Sequence, residues 1–174
     1  MVKKFFSPID AGLYSAWSLF AKIIFFLIGP LISISFIFFS NKNNRHQQNK
    51  ILIMSLIALF IVGFSCYIAY VFFPLIMVNI IFGNKFRDLA PLLGLASFFG
   101  IFYSFIYLFN NYFLARKSPF ALILPFTIPV YLLSLFIFKN NLLNIISVDI
   151  YFSLFVGIIY SIAYLFYKKN SITV

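Results

Sequence analysis

The sequence predicts an all-α membrane protein that folds as a bundle of about five transmembrane helices. Hydrophobic residues make up 64% of the 174 residues and charged residues only 9%, whereas a soluble domain carries about 25% charged residues. The mean hydropathy of +1.07 points in the same direction. Apolar runs of about 18 or more residues, long enough to cross a bilayer, recur along the chain. We therefore expect residues 1–174 to form a single transmembrane domain.

The first two predicted helices are apolar runs separated by a polar stretch. The first covers about Leu13–Phe39, which is too long for the apolar region of a signal peptide. Polar residues from position 41 to position 50 end it. The second covers about Ile51–Phe73 and continues as an apolar tail, Pro74–Phe82. Pro74 is expected to end this helix because it lacks a backbone donor.

Three further helices follow in the second half of the chain. The third covers about Leu89–Ala115 and follows turn-forming residues at 83–88. The fourth, about Pro119–Phe138, begins after the polar break at 116–118, and the fifth, about Ile150–Tyr167, begins after the break at 139–144. Proline removes a backbone donor, so Pro30, Pro125 and Pro129 inside predicted helices indicate either hinges or static kinks.

The charges indicate a membrane orientation. The chain carries 13 Lys and Arg against 3 Asp and Glu, a net charge of +10. The basic residues are scattered among apolar runs, which argues against a nucleic-acid interface and for loop charges that set orientation. Seven bases fall on the side of the C-terminus and five on the other, so the C-terminus is expected to be cytoplasmic and the N-terminus outside. The five are Lys3, Lys4, Lys85, Arg87 and Lys139; the seven are Lys42, Arg45, Lys50, Arg116, Lys117, Lys168 and Lys169.

The sequence offers few residues for catalysis or metal binding. The three acids, Asp10, Asp88 and Asp149, are far apart and fall near predicted helix ends on the five-base side, which leaves no paired carboxylates for acid–base chemistry. Cys66 lies in an apolar run without metal-ligand spacing, and His46 lies in a polar stretch. No phosphate-binding glycine loop, zinc-protease motif or nucleophile elbow is present. We expect neither an enzyme nor a metal or cofactor.

Lys22 is the one ionisable residue deep inside a predicted helix. It lies about nine residues into the first helix, roughly 14 Å along the axis and near the middle of a bilayer core of about 30 Å. A lysine there costs on the order of 3 kcal/mol. Ser15, Ser18, Gly29 and Ser33 share its helix face. Either the ammonium group lines a cavity and attracts an anionic substrate, or it snorkels outwards or contacts a neighbouring carbonyl.

Small and polar residues follow helical spacing in the third and fifth helices. Ala96, Gly100 and Ser104 repeat four residues apart, and positions 153, 157 and 161 do the same. This spacing favours close helix packing in lipid. Lining of a cavity is the alternative, with Tyr107 and Asn111 as the candidate residues.

Tyrosine and tryptophan near predicted helix ends indicate anchors at the membrane interface. Tyr14 and Trp17 fall near the outer end of the first helix, and Tyr112 near the inner end of the third. Tyr164 and Tyr167 fall at the end of the fifth.

Three stretches resemble motifs of the polysaccharide-biosynthesis, or O-antigen, flippase family of the MOP (MATE-like) superfamily. The first is SPIDAGLYSA at 7–16 followed by LFAKI at 19–23. The second is FP at 73–74 followed by IFGNKF at 81–86. The third is APLL at 90–93 followed by NYFLARK at 111–117. The stretch at 144–149 departs from the family, which has a glycine- and alanine-rich entry to its last helix.

The resemblance implies a fold and an activity. Members consist of two similar halves around a central cavity, and this chain corresponds to about the last five helices of a member, without the first half. The implied activity is the flipping of an undecaprenyl-pyrophosphate-linked oligosaccharide in the bacterial inner membrane, coupled to an ion that the sequence does not identify. Lys22 matches the family's basic position in the helix. Arg116 and Lys117 match its cytoplasmic basic turn, where they either contact the headgroup or set topology.

Two functional alternatives remain open from the sequence. The chain is similar enough to the wider superfamily that a drug or lipid exporter is a second transport hypothesis. A small structural or assembly subunit without transport activity is a third. Because five helices cannot easily enclose a polar path across a bilayer, we expect activity only when the chain pairs with a second copy or with a separate first half.

Overall fold

The computed structural model describes residues 5–41, 45–138 and 140–170, and they form the expected all-α bundle, with no strand in the described part. Five helical segments among these residues are long and apolar enough to cross a membrane. The α-helices are α1 (Pro8–Ser40), α2 (Arg45–Phe72), α3 (Pro74–Phe82), α4 (Leu93–Ala115), α5 (Ile123–Ile137) and α6 (Leu142–Asn170). Two 3-10 segments, Asn84–Leu92 and Pro119–Leu122, precede α4 and α5.

Three helices begin earlier than the apolar runs predict, and polar residues cap two of them. The third, α2, begins at Arg45 rather than at Ile51. The hydroxyl of Ser7 accepts a hydrogen bond from the backbone N–H of Asp10 at 3.1 Å, and Pro8 takes the first helical position of α1. The side chain of Asn141 accepts from the N–H of Asn144 at 2.8 Å at the start of α6. The predicted start at Ile150 is therefore wrong by eight residues, and Asp149 belongs to the helix rather than to a loop.

The interruptions after α2 and before α4 follow from local backbone chemistry. Phe73 leaves the helical region, with φ of −128° and ψ of 42°, and Pro74 starts α3, as predicted. Gly83 has φ of 74°, a conformation that suits glycine, and it ends α3. The 3-10 segment that follows contains Pro91, so α4 begins only at Leu93 and not at Leu89.

The prolines of the transmembrane segments fall in different environments. Pro30 and Pro129 lie inside α1 and α5. Pro125 lies in the first turn of α5, where a backbone N–H has no helical partner in any case.

α4 lies at the centre of the bundle and packs against α1, α2 and α6. In the most apolar 18-residue stretch of the span Asn84–Ala115, 44% of the residues are buried. In the corresponding stretch of the span Pro119–Ile137, only 11% are buried. α5 is therefore peripheral and packs mainly on α6. The apolar side chains that the other helices leave exposed face outwards, as expected for lipid contact.

Two buried clusters occupy the two ends of the bundle. One contains Trp17, Phe20, Leu89, Leu93 and Ile146, and the other contains Phe39, Leu52, Tyr112, Phe113 and Tyr160. This distribution follows from the antiparallel order of successive spans, which alternates their ends between the two clusters.

The aromatic residues predicted as interfacial anchors contact neighbouring helices. Trp17 is fully buried, and its indole Nε1–H donates to the carbonyl of Leu92 at 3.1 Å. Tyr14 donates to a buried carboxylate, and Tyr112 is 1% exposed. Tyr164 and Tyr167 are partly buried and pack on Tyr112.

The structure locates several of the Lys and Arg residues that were counted to predict the membrane orientation. Lys85 and Arg87 lie in the 3-10 segment before α4, and Lys50 lies in the first turns of α2. Lys3, Lys4, Lys42 and Lys139 lie outside the described residues. The helices form a multi-pass bundle, in which the ends of successive spans alternate.

Candidate functional site

Lys22 lies near the middle of α1, as predicted. It stands fourteen residues after Pro8 and eighteen before Ser40, about 21 Å and 27 Å along the axis. Its side chain is exposed, and it forms no hydrogen bond or ion pair with any residue of the described ranges. The ammonium group therefore stands on the outer face of α1 at mid-span without a protein partner.

The side chain of Lys22 borders a groove between α1 and α4 with a volume of about 330 Å³, which we term the Lys22 groove. Apart from the lysine, its walls are aromatic or small. The lining residues are Ala21, Lys22, Phe25, Phe26, Phe99, Gly100 and Tyr103. An unpaired cation thus sits in a groove whose other side chains offer apolar surface and one phenol hydroxyl.

α1 and α4 approach each other closely at the Lys22 groove. Gly100 is buried, and a Cβ atom at this position would lie 2.5 Å from the carbonyl oxygen of Ala21. Ala96 and Ser104, one turn to either side, are also buried. The small residues of this helix therefore allow close packing, and one of them, Gly100, also lines the groove. At Gly157 of α6 a Cβ atom would lie at ordinary contact distance, 3.5 Å, from the ring of Phe105.

A ladder of aromatic rings runs along the groove. Trp17 stacks on Phe99 with ring centroids 5.4 Å apart, and Phe99 lies 6.0 Å from Tyr103. Phe25 contacts Tyr103 at 5.3 Å and Tyr107 at 5.0 Å. These contacts hold the walls of the groove in place along about two turns of α4.

The serines predicted beside Lys22 are on its face of α1 but do not line the Lys22 groove. The hydroxyl of Ser15 donates to the carbonyl of Ala11 at 2.8 Å, and that of Ser18 donates to the carbonyl of Ser15 at 2.9 Å. Ser15 is exposed and borders a separate depression near Pro8. Their donors are satisfied within the helix, so only their acceptor capacity remains for a ligand.

Tyr107 and Asn111 lie further along α4. Tyr107 joins the rim of the groove through Phe25, whereas the amide of Asn111 donates to the carbonyl of Tyr107 at 2.8 Å. The buried amide of the neighbouring residue, Asn110, accepts from the hydroxyl of Tyr160 at 2.9 Å and ties α4 to α6. Only Tyr107 of the two predicted residues therefore contacts a residue that lines the groove.

Arg116 and Lys117 lie directly after the C-terminal end of α4, about four turns beyond Gly100 at the Lys22 groove. The guanidinium of Arg116 lies over the rings of Tyr112 and Tyr167, 5.3 Å and 4.9 Å from their centroids. Its Nη1 donates to the hydroxyl of Tyr112 at 2.7 Å, and that hydroxyl lies 3.3 Å from the Oδ1 of Asn49 in α2. Arg116 is thus held by aromatic rings and joins α2, α4 and α6.

Lys117 is exposed and is the one described non-glycine residue with positive φ, 52°. Its N–H donates to the carbonyl of Leu114 at 3.0 Å, and the N–H of Ser118 donates to that of Phe113 at 3.0 Å. These two hydrogen bonds form a Schellman cap, in which the left-handed position is usually glycine. Lys117 therefore ends α4 in a conformation that is unfavourable for its own Cβ atom.

Asp149 is a buried site that the sequence reasoning missed. Its carboxylate, in a residue only 1% exposed, accepts from the hydroxyl of Tyr14 at 2.7 Å and from that of Tyr131 at 2.6 Å. The signal available in the sequence was a helical stripe, and the members of that stripe are Ile146, Asp149, Ser153, Val156, Tyr160 and Ala163, all buried. The predicted start at Ile150 concealed this stripe.

Asp149 borders a cavity of about 280 Å³ between α4, α5 and α6. Phe99 and Tyr103 line both this cavity and the Lys22 groove. The two aromatic side chains therefore stand between the unpaired cation of α1 and the buried carboxylate of α6.

The described residues contain no group of three or more His, Cys, Asp or Glu side chains suited to a metal ion. Cys66 is a free, partly buried thiol that packs beside the cluster containing Trp17 and Phe20.

No protein-family profile, curated protein or solved structure matches this chain.

Proposed function

We propose that the chain forms part of a membrane transporter that moves a lipid-linked oligosaccharide across the bilayer, with the Lys22 groove binding its pyrophosphate group. The observation that carries this proposal is the unpaired ammonium group at the middle of a 33-residue helix. A cation at such a depth costs on the order of 3 kcal/mol, and an anionic headgroup would offset that cost. The resemblance of residues 7–23 to the flippase motif supports the same assignment.

The walls of the groove fit a lipid substrate. Phe25, Phe26 and Phe99 offer apolar surface for an isoprenoid chain, while Tyr103, which lines the same groove as Lys22, carries a phenol hydroxyl. A cationic drug would place its charge against Lys22 without a described carboxylate at the groove to balance it. The groove therefore favours an anionic lipid over the cationic substrates of a drug exporter.

The size of the groove favours a composite transporter. Its volume of about 330 Å³ lies at the lower end of the range for small-molecule pockets, about 300–1,000 Å³, and holds a headgroup but not an oligosaccharide. Lys22 is open to the outside of the bundle. A second copy of the chain, or a separate first half, would close the groove and shield the polar path from lipid. We place this assembly in the bacterial cytoplasmic membrane with the C-terminus inside.

Binding is the direct test of the groove. The chain, reconstituted in vesicles with undecaprenyl pyrophosphate or with uncharged undecaprenol, is examined for bound lipid by native mass spectrometry. Losing a charge-assisted contact of about 1.5–3 kcal/mol should weaken pyrophosphate-lipid binding roughly tenfold or more in Lys22→Ala. Lys22→Arg should retain binding, and Lys50→Ala, an exposed lysine of α2, should behave as the unaltered chain.

The outcomes separate the candidate functions. Equal binding by the chain and its Lys22→Ala variant would overturn the groove assignment. Equal binding of the charged and uncharged lipids would indicate a general lipid exporter. Restoration of surface polysaccharide in flippase-deficient cells, by the chain alone or with a first half, tests transport. A structural subunit would be expected neither to bind the lipid nor to restore surface polysaccharide.

A further inference from the structure

The carboxylate of Asp149 joins three helices at one end of the bundle. It lies seven residues after Leu142, inside the apolar span Leu142–Lys168. Oδ2 accepts from Tyr14 of α1 at 2.7 Å, and Oδ1 accepts from Tyr131 of α5 at 2.6 Å. Each oxygen thus has one phenol donor, and the two donors belong to different helices.

No described cation balances this carboxylate. The titratable side chains that face it are Tyr14 from α1, Tyr131 from α5 and Tyr103 from α4, across the adjoining cavity. Lys22 lies on the far side of Phe99 and Tyr103. An ionised carboxylate away from water costs free energy unless donors or a cation compensate it, and here two phenol donors alone do so.

The cavity beside Asp149 reaches one of its two donors. Asp149 and Tyr131 line this space of about 280 Å³, whereas Tyr14 does not. The hydroxyls of Thr127 and Ser153 in its wall already donate to the carbonyls of Leu124 and Ile150, at 2.8 Å and 2.9 Å. The other walls are largely aromatic or aliphatic. Metal cations require several oxygen ligands, whereas a proton requires only the carboxylate.

We propose that Asp149 binds and releases a proton through this cavity, and that its protonation state controls the attachment of α1 to α5 and α6. A proton delivered by water on the Tyr131 side adds to the carboxylate and removes its negative charge. The two charge-assisted hydrogen bonds then become neutral ones, which are roughly half as strong. Since the Tyr14 hydroxyl is the donor from α1 to this carboxylate, protonation weakens the hydrogen bond that holds this end of α1. This proposal does not rest on the proposed function, because it invokes neither Lys22 nor a lipid.

The proton can be observed directly because the chain has only three acidic side chains. Asp10→Asn combined with Asp88→Asn leaves Asp149 as the sole side-chain carboxyl. Infrared difference spectra of this variant in lipid vesicles, between alkaline and acidic buffer, should show a protonated-carboxyl band. The band should shift in Tyr131→Phe and lose its Asp149 component in Asp149→Asn, in which only the C-terminal carboxyl remains. A spectrum that Asp149→Asn leaves unchanged would overturn the proposal.

The attachment of α1 is measured by the distance between two spin labels. In a Cys66→Ser background, labels at Ile9 of α1 and Leu143 of α6, both exposed, report on the Asp149 end. Labels at Leu114 and Leu165, also exposed, report on the other end as a control. Acidification should lengthen or broaden the first distance and leave the second unchanged.

Two variants and an exchange of cations show whether a proton on Asp149 causes the change in the first distance. Asp149→Asn, which is uncharged, should hold the long distance at every pH. Tyr14→Phe removes only the α1 link, so it should give the long distance while keeping the infrared band, and it serves if Asp149→Asn does not fold. A first distance that is insensitive to pH would contradict the proposal. So would a distance that follows Na⁺ replacing K⁺ at constant pH, because that result assigns the site to a metal cation.

Discussion

Gly100 of α4 lies directly against the backbone of Ala21 in α1. A Cβ atom at position 100 would come within 2.5 Å of the Ala21 carbonyl oxygen and 3.1 Å of the Cδ1 of Ile24. Because the 2.5 Å contact is to backbone, it cannot be relieved by rotating a side chain. Lys22 follows Ala21, so this crossing also sets the depth of the Lys22 groove.

Gly100→Ala should therefore destabilise the bundle. Alanine favours a helix over glycine by up to about 1 kcal/mol, but overpacking costs about 1–3 kcal/mol, so we expect a net loss and a lower Tm in detergent. Gly12→Ala is the matched control, because nothing lies within 4 Å of its Cβ position. It should leave Tm unchanged or raise it. Equal effects of the two substitutions would contradict the tight crossing.

Tyr160→Phe should cost about 1–3 kcal/mol of stability. The variant keeps the ring but removes the hydroxyl that donates to Asn110 at 2.9 Å, which leaves a buried acceptor without its partner. Chemical denaturation followed by circular dichroism measures the loss. Tyr151→Phe, at a side chain 71% exposed, should change little, and an equal loss in both variants would argue against the buried hydrogen bond.

Lys117→Gly should stabilise the end of α4 by about 1 kcal/mol, because a left-handed conformation costs a non-glycine residue about 1–2 kcal/mol and glycine's greater unfolded-state entropy offsets part of the gain. Lys117→Ala removes the same charge but keeps the Cβ atom. It should bring little or no gain in thermal stability. If both variants gained equally, the cause would be loss of charge rather than relief of the backbone.

Arg116→Lys should weaken the junction of α2, α4 and α6. Lysine keeps the charge but lacks the planar guanidinium that lies over Tyr112 and Tyr167 and donates to the Tyr112 hydroxyl. We expect a loss of roughly 1–2 kcal/mol in thermal or chemical unfolding, from a cation–π contact and a hydrogen bond. Full stability in Arg116→Lys would show that charge alone matters here.

The apolar runs predicted the spans well because bilayer solvent imposes a length and a composition on any crossing helix. They predicted the helix ends less well. Ser7 and Asn141 add turns at the starts of α1 and α6 through hydrogen bonds to backbone N–H groups. A polar cap lies outside an apolar run by its nature, so hydropathy does not register it. The error at α6 placed Asp149 in a loop and hid its contacts.

For the candidate site, too, the sequence predicted some features and missed others. The depth of Lys22 follows from its position in an uninterrupted apolar run, and the structure places it at mid-helix without a partner among the described residues. For the aromatic residues, in contrast, position along the sequence did not predict their contacts. Trp17 and Tyr14 lie near a helix end in sequence, yet they pack inside because α4 and α6 cover that end of α1.

The sequence by itself determined that this protein is a bundle of apolar helices, with a lysine at the middle of the first one. Backbone hydrogen bonding and burial in hydrocarbon are local requirements that each segment satisfies alone. Only the tertiary structure decided which side chains meet across helices. The contact of Gly100 with Ala21, the aromatic enclosure of Arg116 and the pairing of Tyr14 with Asp149, 135 residues apart, depend on how the helices rotate and cross. Composition and periodicity do not specify those relations.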